Sequence, residues 1–178
     1  MLIVMAGLPA TGKTSLAAAI ARASAGVVLS KDEIRAAAFP PQVLDYSSAQ
    51  DDLCMEMLYG AARYTCRTFP GTPVIVDGRT FTRRANVDRV IAVAEDIGAR
   101  VRFVECVCDD ATARRRLEES ARGGTHVAAN RDWSLYARLR SRAEPLQVER
   151  VTVDTGALSL EQATAVCMDH LFGAQTGS

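Results

Sequence analysis

Leu2-Ile3-Val4-Met5-Ala6-Gly7-Leu8-Pro9-Ala10-Thr11-Gly12-Lys13-Thr14 decides how the rest of the chain is read. Gly7–Thr14 fits G-x-x-x-x-G-K-[ST], with an apolar run before it and the helix-favouring Ser15-Leu16-Ala17-Ala18-Ala19-Ile20-Ala21-Arg22 after it. Strand, glycine loop and helix together turn this string into a phosphate-binding loop. Backbone N–H groups of such a loop converge on a triphosphate, and the helix start adds partial positive charge. Gly7 and Gly12 suit positions where unusual backbone angles and close approach to phosphate exclude a Cβ. Lys13 is expected on the β- and γ-phosphates and the Thr14 hydroxyl on Mg²⁺. Pro9, Ala10, Thr11 and Ser15 complete the candidate nucleotide contacts.

Working outward, the bulk composition excludes several classes. The 178 residues suggest one domain with a sizeable core. Lys and Arg number 21, Asp and Glu 21, so no global basic excess points to nucleic acid, although a local basic groove stays open. Leu2–Ala6 is too short and too poor in flanking basic residues for a signal peptide, and no apolar stretch approaches the roughly 20 residues of a membrane span. A cytoplasmic location is expected. Cys54, Cys66, Cys106, Cys108 and Cys167 are scattered and odd in number, which argues for reduced thiols. Cys106 and Cys108 are expected on one strand face as core residues, since no second Cys/His pair completes a metal site. His126 and His170 stand alone.

Strand-like runs recur at Leu2–Ala6, Gly26–Leu29, Pro73–Val76, Val101–Val107 and Arg150–Val153, read as strands buried on both faces. Helical stretches fall at Lys13–Ala23, Lys31–Ala38, Ser47–Arg67, Arg83–Ile97, Asp109–Arg122, Arg131–Arg140 and Ser159–Phe172. Val87, Val90, Ile91, Ala94 and Ile97 form one apolar stripe, ended by Gly98. Ser159 and Gln162 match a capping box. The Phe39-Pro40-Pro41 step breaks the helical pattern before Ser47. This alternation predicts an α/β domain over residues 1–172 with helices on both faces of a parallel sheet, and a disordered tail over 173–178.

Three groups could carry chemistry beside the loop. Asp32 and Arg35 follow the second strand at a spacing that shares one helical face. The carboxylate could deprotonate an acceptor hydroxyl while the guanidinium holds an anionic group. Alternatively Ser30 or Asp32 caps a helix and Arg35 is solvated. Asp77 ends an apolar strand where phosphate-loop enzymes hold Mg²⁺, or it starts the Asp77-Gly78 turn. Gly78-Arg79 follows, without the glutamate that many ATPases use to polarise water, which favours transfer over hydrolysis. Arg79 and Arg83 are further candidates for the acceptor side. Finally, Arg114, Arg115, Arg116 and Arg122 precede Gly123-Gly124. Fixed cations there could cover a moving phosphoryl group, with the glycines as a lid joint. Pairing of Arg114 with Glu118 and Arg115 with Glu119 is the alternative. Arg116 and Arg122 are the nucleotide-side candidates, Arg122 first.

These residues resemble the small phosphate-loop kinases of the polynucleotide kinase and zeta-toxin-like group, an AAA-type ATP-binding kinase domain, over nearly the whole length. The family's loop appears as Gly7–Thr14 and its Arg-Asp-Asp-x-x-Arg motif as Lys31-Asp32-Glu33-Ile34-Arg35. Its Ser-Lys-Arg-Gly-Thr lid looks like Ser120–Thr125 with one inserted glycine, and Trp133-Ser134-Leu135-Tyr136 continues the likeness. The resemblance implies a five-stranded parallel sheet of order 2-3-1-4-5, ATP and Mg²⁺ as cofactors, Asp32 as general base, Arg35 on an acceptor phosphate and Arg122 as lid arginine. The expected reaction is transfer of the γ-phosphoryl group to a hydroxyl of a small molecule. A polynucleotide 5′-hydroxyl kinase and an ATPase or switch without acceptor are the alternatives. Basic residues beyond the motifs are not concentrated on the acceptor side of the sequence, so nucleic acid is not favoured. The absence of Asn-Lys-x-Asp favours ATP over GTP.

Overall fold

The structure, a computed structural model, describes residues 1–123 and 132–173. The elements run β1 (Leu2–Ala6), α1 (Lys13–Ser24), β2 (Val27–Ser30), α2 (Lys31–Ala38), α3 (Ser48–Thr68), β3 (Val74–Asp77), α4 (Arg84–Asp96), β4 (Val101–Val107), α5 (Asp110–Gly123), α6 (Trp133–Ser141), β5 (Arg150–Asp154) and α7 (Leu160–Phe172). A 3₁₀ turn at Pro41–Val43 occupies part of the connection after the Phe39-Pro40-Pro41 step. The sheet is parallel, in the order β2-β3-β1-β4-β5.

Alternation along β1 divides the core. Leu2, Val4 and Ala6 pack with α3 and α4, whereas Ile3 and Met5 pack with α1 and α7. All five β1 residues are buried because β1 is central, with β3 and β4 on either side. The expectation that every strand is buried on both faces does not hold at the rim. β2 and β5 are edge strands, and Val27 of β2 is 37% exposed.

Local signals fix several element ends. Gly98, at φ 64°, terminates α4 with Gly98 N–H donating to Glu95 O and Ala99 N–H to Ala94 O, the paired bonds of a Schellman stop. Ser159 and Gln162 form the capping box at the start of α7. The two cysteines expected on one strand face diverge. β4 ends at Val107, so Cys106 is buried among α1 and α7 residues while Cys108 packs beside Ala113, Leu117 and Tyr136. Burial pushes the Cys106 thiol up to about 12, which disfavours its thiolate. All five cysteines are free, and no His/Cys/Asp/Glu cluster fit for a metal occurs among the described residues. No helix among them is long and apolar enough to cross a membrane. The expectations for His126, Gly124, Thr125 and Arg131, and for the tail beyond Gly173, lie outside the described residues.

Candidate active site

The loop between β1 and α1 is held by backbone geometry. Gly7 has φ 125°, and a Cβ there would lie 2.2 Å from Cys106 O, so only glycine fits. Gly12, at φ 83°, caps α1. Ala10 also adopts a left-handed conformation, φ 62°, which strains an L-residue with a Cβ by about 1–2 kcal/mol. Lys13 Nζ donates to Gly7 O at 2.9 Å and Leu8 O at 2.7 Å, so its ammonium lies over the loop. Thr14 Oγ1 donates to Asp77 Oδ2 at 2.6 Å. The carboxylate ending β3 and the hydroxyl starting α1 are therefore adjacent, as a shared magnesium site requires.

The loop is tied down from both sides. Gly7 N–H donates to Thr80 O at 2.9 Å, linking it to the β3–α4 connection. In that connection Phe81 is 1% exposed yet has φ 53°, an outlier for a bulky residue that burial of its ring offsets. On the other side Thr155, after β5, donates to Thr11 O at 2.9 Å. Arg116 of α5 donates to Ala10 O at 3.2 Å, Thr155 Oγ1 at 2.9 Å and Thr155 O at 2.7 Å.

Two cavities flank the loop. One, of about 480 Å³, is lined by Gly12, Ser15, Arg116, Thr155 and Leu158 among others; its size and mixed lining suit a nucleotide. The other, of about 450 Å³, is reached by Pro9 of the loop, Asp32 and Arg35 of α2, Asp51 and Asp52 of α3, Asp77, Arg79 and Arg83 around β3, and Arg138 and Arg142 at the end of α6. Lys13 and Thr14 line both.

Within the second cavity Ser30, not Asp32, caps α2, its side chain accepting from Glu33 N–H at 3.3 Å. Asp32 instead accepts from Arg35 Nη1 at 3.2 Å. Arg35 is not solvated. It is 4% exposed, pairs with Asp51, stacks on the Tyr46 ring at 5.2 Å, and its buried Nε has no hydrogen-bond partner among the described residues. Lys31 shares Asp51 at 3.0 Å, and Arg79 pairs with Asp52 and donates to Asn86 Oδ1 at 2.7 Å.

The structure brings together Lys13, Thr14, Asp32, Arg35, Asp77, Arg79 and Arg83, but not Arg122. Arg122 lies on the exposed side of α5, 3.8 Å from Glu118, and lines neither cavity. Six residues along a helix rotate a side chain by about 240°, so Arg122 cannot share the face of Arg116. Arg114 and Arg115 form the ion pairs with Glu118 and Glu119 that their spacing allowed. The expectation of a sparsely basic acceptor side is also corrected. Arg138 and Arg142 reach that cavity because α6 crosses to it, a placement no local motif encodes. Asp51 and Asp52 were missed for the same reason.

The fold has counterparts among solved structures. A presumed kinase from Chloroflexus aurantiacus is 23% identical, covering 95% of this chain and 97% of its own, with a TM-score of 0.74. The APS kinase CysC of Mycobacterium tuberculosis, solved with AMPPNP and APS, is 21% identical over 96% of each chain, TM-score 0.67. A gluconokinase from Sinorhizobium meliloti is 21% identical, covering 95% of this chain and 90% of its own, TM-score 0.63. No curated protein matches in sequence. These likenesses show a P-loop kinase fold. Residues 2–146 match the AAA domain family model, and this chain belongs to that family.

Proposed function

We propose that the chain is an ATP- and Mg²⁺-dependent phosphotransferase acting on a hydroxyl of a small molecule. One observation carries the reading: Lys13 and Thr14 form the common wall of two cavities, with Asp32 in the second. A triphosphate seated on the loop from the first cavity presents its γ-phosphoryl group to whatever occupies the other. The fold shared with an APS kinase and a gluconokinase supports the reaction class.

Each residue then has a task. Lys13 exchanges its carbonyl partners at Gly7 and Leu8 for phosphate oxygens. Thr14 and Asp77 supply two oxygen donors that fit Mg²⁺, an ion that takes its remaining positions from water and phosphate. When bound, the ion neutralises charge on the β- and γ-phosphates. Asp32 accepts the hydroxyl proton as the acceptor oxygen bonds to the γ-phosphorus; the bond to the bridging oxygen breaks and ADP leaves. Arg35 holds Asp32 in place through Nη1. Arg116 supports the nucleotide side in the role the resemblance gave to Arg122. Free thiols fit the reducing cytoplasm.

Incubation with γ-labelled ATP, Mg²⁺ and a metabolite panel tests the reading. Label should appear in a new phosphoester with stoichiometric ADP. Acceptor-independent release of phosphate alone would instead support an ATPase or switch. Arg138 and Arg142 in the lining of the second cavity favour a polynucleotide end as the second reading. Salt-sensitive labelling of 5′-hydroxyl oligomers would make it the first.

A further inference from the structure

We infer that the acceptor is a small acid: its hydroxyl belongs to a molecule bearing a phosphate or carboxylate that Arg138 and Arg142 bind together with Arg83. This deepens the phosphotransferase reading and rests on it for the purpose of the cavity, but the chemistry comes from α6.

Among the described residues, seven cationic side chains and four acidic ones line the acceptor cavity. The acids already have partners. Asp51 takes Lys31 and Arg35, Asp32 takes Arg35, Asp52 takes Arg79, and Asp77 accepts from Thr14. Lys13 belongs to the nucleotide. Arg83, Arg138 and Arg142 remain, and no ion pair among the described residues engages them. The chain as a whole is neutral, so this excess is a local arrangement.

The orientation of α6 is fixed from its other side. Tyr136 is 2% exposed, donates to Asp110 Oδ1 at 3.0 Å and stacks on Trp133 with ring centroids 4.9 Å apart. Arg140 pairs with the same Asp110. With that face held on α5, Leu135, Arg138, Leu139 and Arg142 form the i, i+3, i+4, i+7 stripe that lines the cavity. Basic residues near a helix C-terminus complement its dipole, but they do so on any face. Dipole complementarity therefore leaves unexplained why Arg138 and Arg142 share the cavity face, where like charges at i, i+4 repel. Asp132, at the start of α6, accepts at Oδ1 from Leu135 N–H and from the Ser134 hydroxyl, which hold its carboxyl below the usual range. It acts on Arg138 only through a weaker electrostatic attraction without an ion pair. An oxyanion between the two guanidinium groups removes the repulsion and matches their planar donor geometry.

The test is binding, so it does not depend on turnover. The full chain saturated with MgADP is titrated calorimetrically with glycerol 3-phosphate, gluconate and thymidine 3′-monophosphate, each beside its neutral counterpart glycerol, glucose or thymidine. At least one acid should bind where its neutral partner does not. Arg138→Gln/Arg142→Gln should weaken that binding about tenfold or more, with MgADP affinity unchanged. Phosphate and carboxylate members separate the two anion chemistries. Asp32→Asn should still bind the acid, so a failed transfer reaction and a failed anion site give different results. No binding by any acid, equal binding of a neutral partner, or undiminished binding by the double variant overturns the inference. Tight, steeply salt-dependent binding of a 5′-hydroxyl oligodeoxynucleotide without small-acid binding overturns it in favour of a polynucleotide end.

Discussion

The two cavities beside Lys13 are built by opposite means. The nucleotide side is organised by backbone: a loop of eight residues whose amides, positive φ angles and helix start lie together because they are contiguous, with side chains of α5, α7 and the turn after β5 completing the wall. The acceptor side is made of side chains from α2, α3, the β3–α4 connection and α6, segments far apart in sequence. A backbone site tolerates most side-chain change outside its glycines and its lysine. A side-chain site can be altered one residue at a time, so under the proposed function it is where acceptor specificity would be set.

The largest effect should separate the two sides. Asp32→Asn is expected to lower transfer by about 10²–10⁴ while leaving nucleotide affinity unchanged and α2 capped by Ser30, at a modest cost in stability from the weakened pair with buried Arg35. Steady-state transfer and equilibrium nucleotide binding measure both terms; near-parental transfer would remove the base from the acceptor side. Lys13→Ala should cost about 10²–10³ in turnover and weaken nucleotide binding in a folded protein, checked by circular dichroism and titration. Unchanged turnover would undo the reading of the shared wall. Arg116→Gln should raise the Kd for nucleotide about tenfold, since Arg116 braces Ala10 and Thr155. The same variant should leave acid binding on the acceptor side intact, and an equal loss on both sides would show that the cavities are not separable. Ala10→Gly, the smallest change, should stabilise the chain by about 1 kcal/mol by relieving a positive φ, seen as a higher Tm with unaltered transfer.

The same contrast explains what was legible in the sequence. Element order and strand boundaries followed from continuous apolar runs and helical periodicity, and deviations are confined to one or two residues. The meeting of Gly7, Lys13 and Thr14 in one loop was readable because the motif fixes their offsets. Asp77 was readable because it ends an apolar strand. Asp51, Asp52, Arg138 and Arg142 were not, since only packing of α3 and α6 decides which helical face meets the cavity. Of the two arginines named for the nucleotide side, Arg116 reaches the loop. Arg122, six residues on and out of helical phase with it, pairs with Glu118, a difference of face that helical phase rather than composition decides. The edge strands β2 and β5 were assigned more burial than they have because composition alone does not reveal which strands lie at the rim.

Asp110 joins α5 to α6 through the Tyr136 hydroxyl and Arg140, so the helix that brings Arg116 to the first cavity and the helix that brings Arg138 and Arg142 to the second are held together. Thermodynamic linkage then constrains the two ligands. If nucleotide binding shifts this helix pair towards the loop and thereby strengthens acceptor binding by some factor, acceptor binding must strengthen nucleotide binding by the same factor. Any such synergy would run through one carboxylate and be measurable as a single coupling constant whichever ligand is added first.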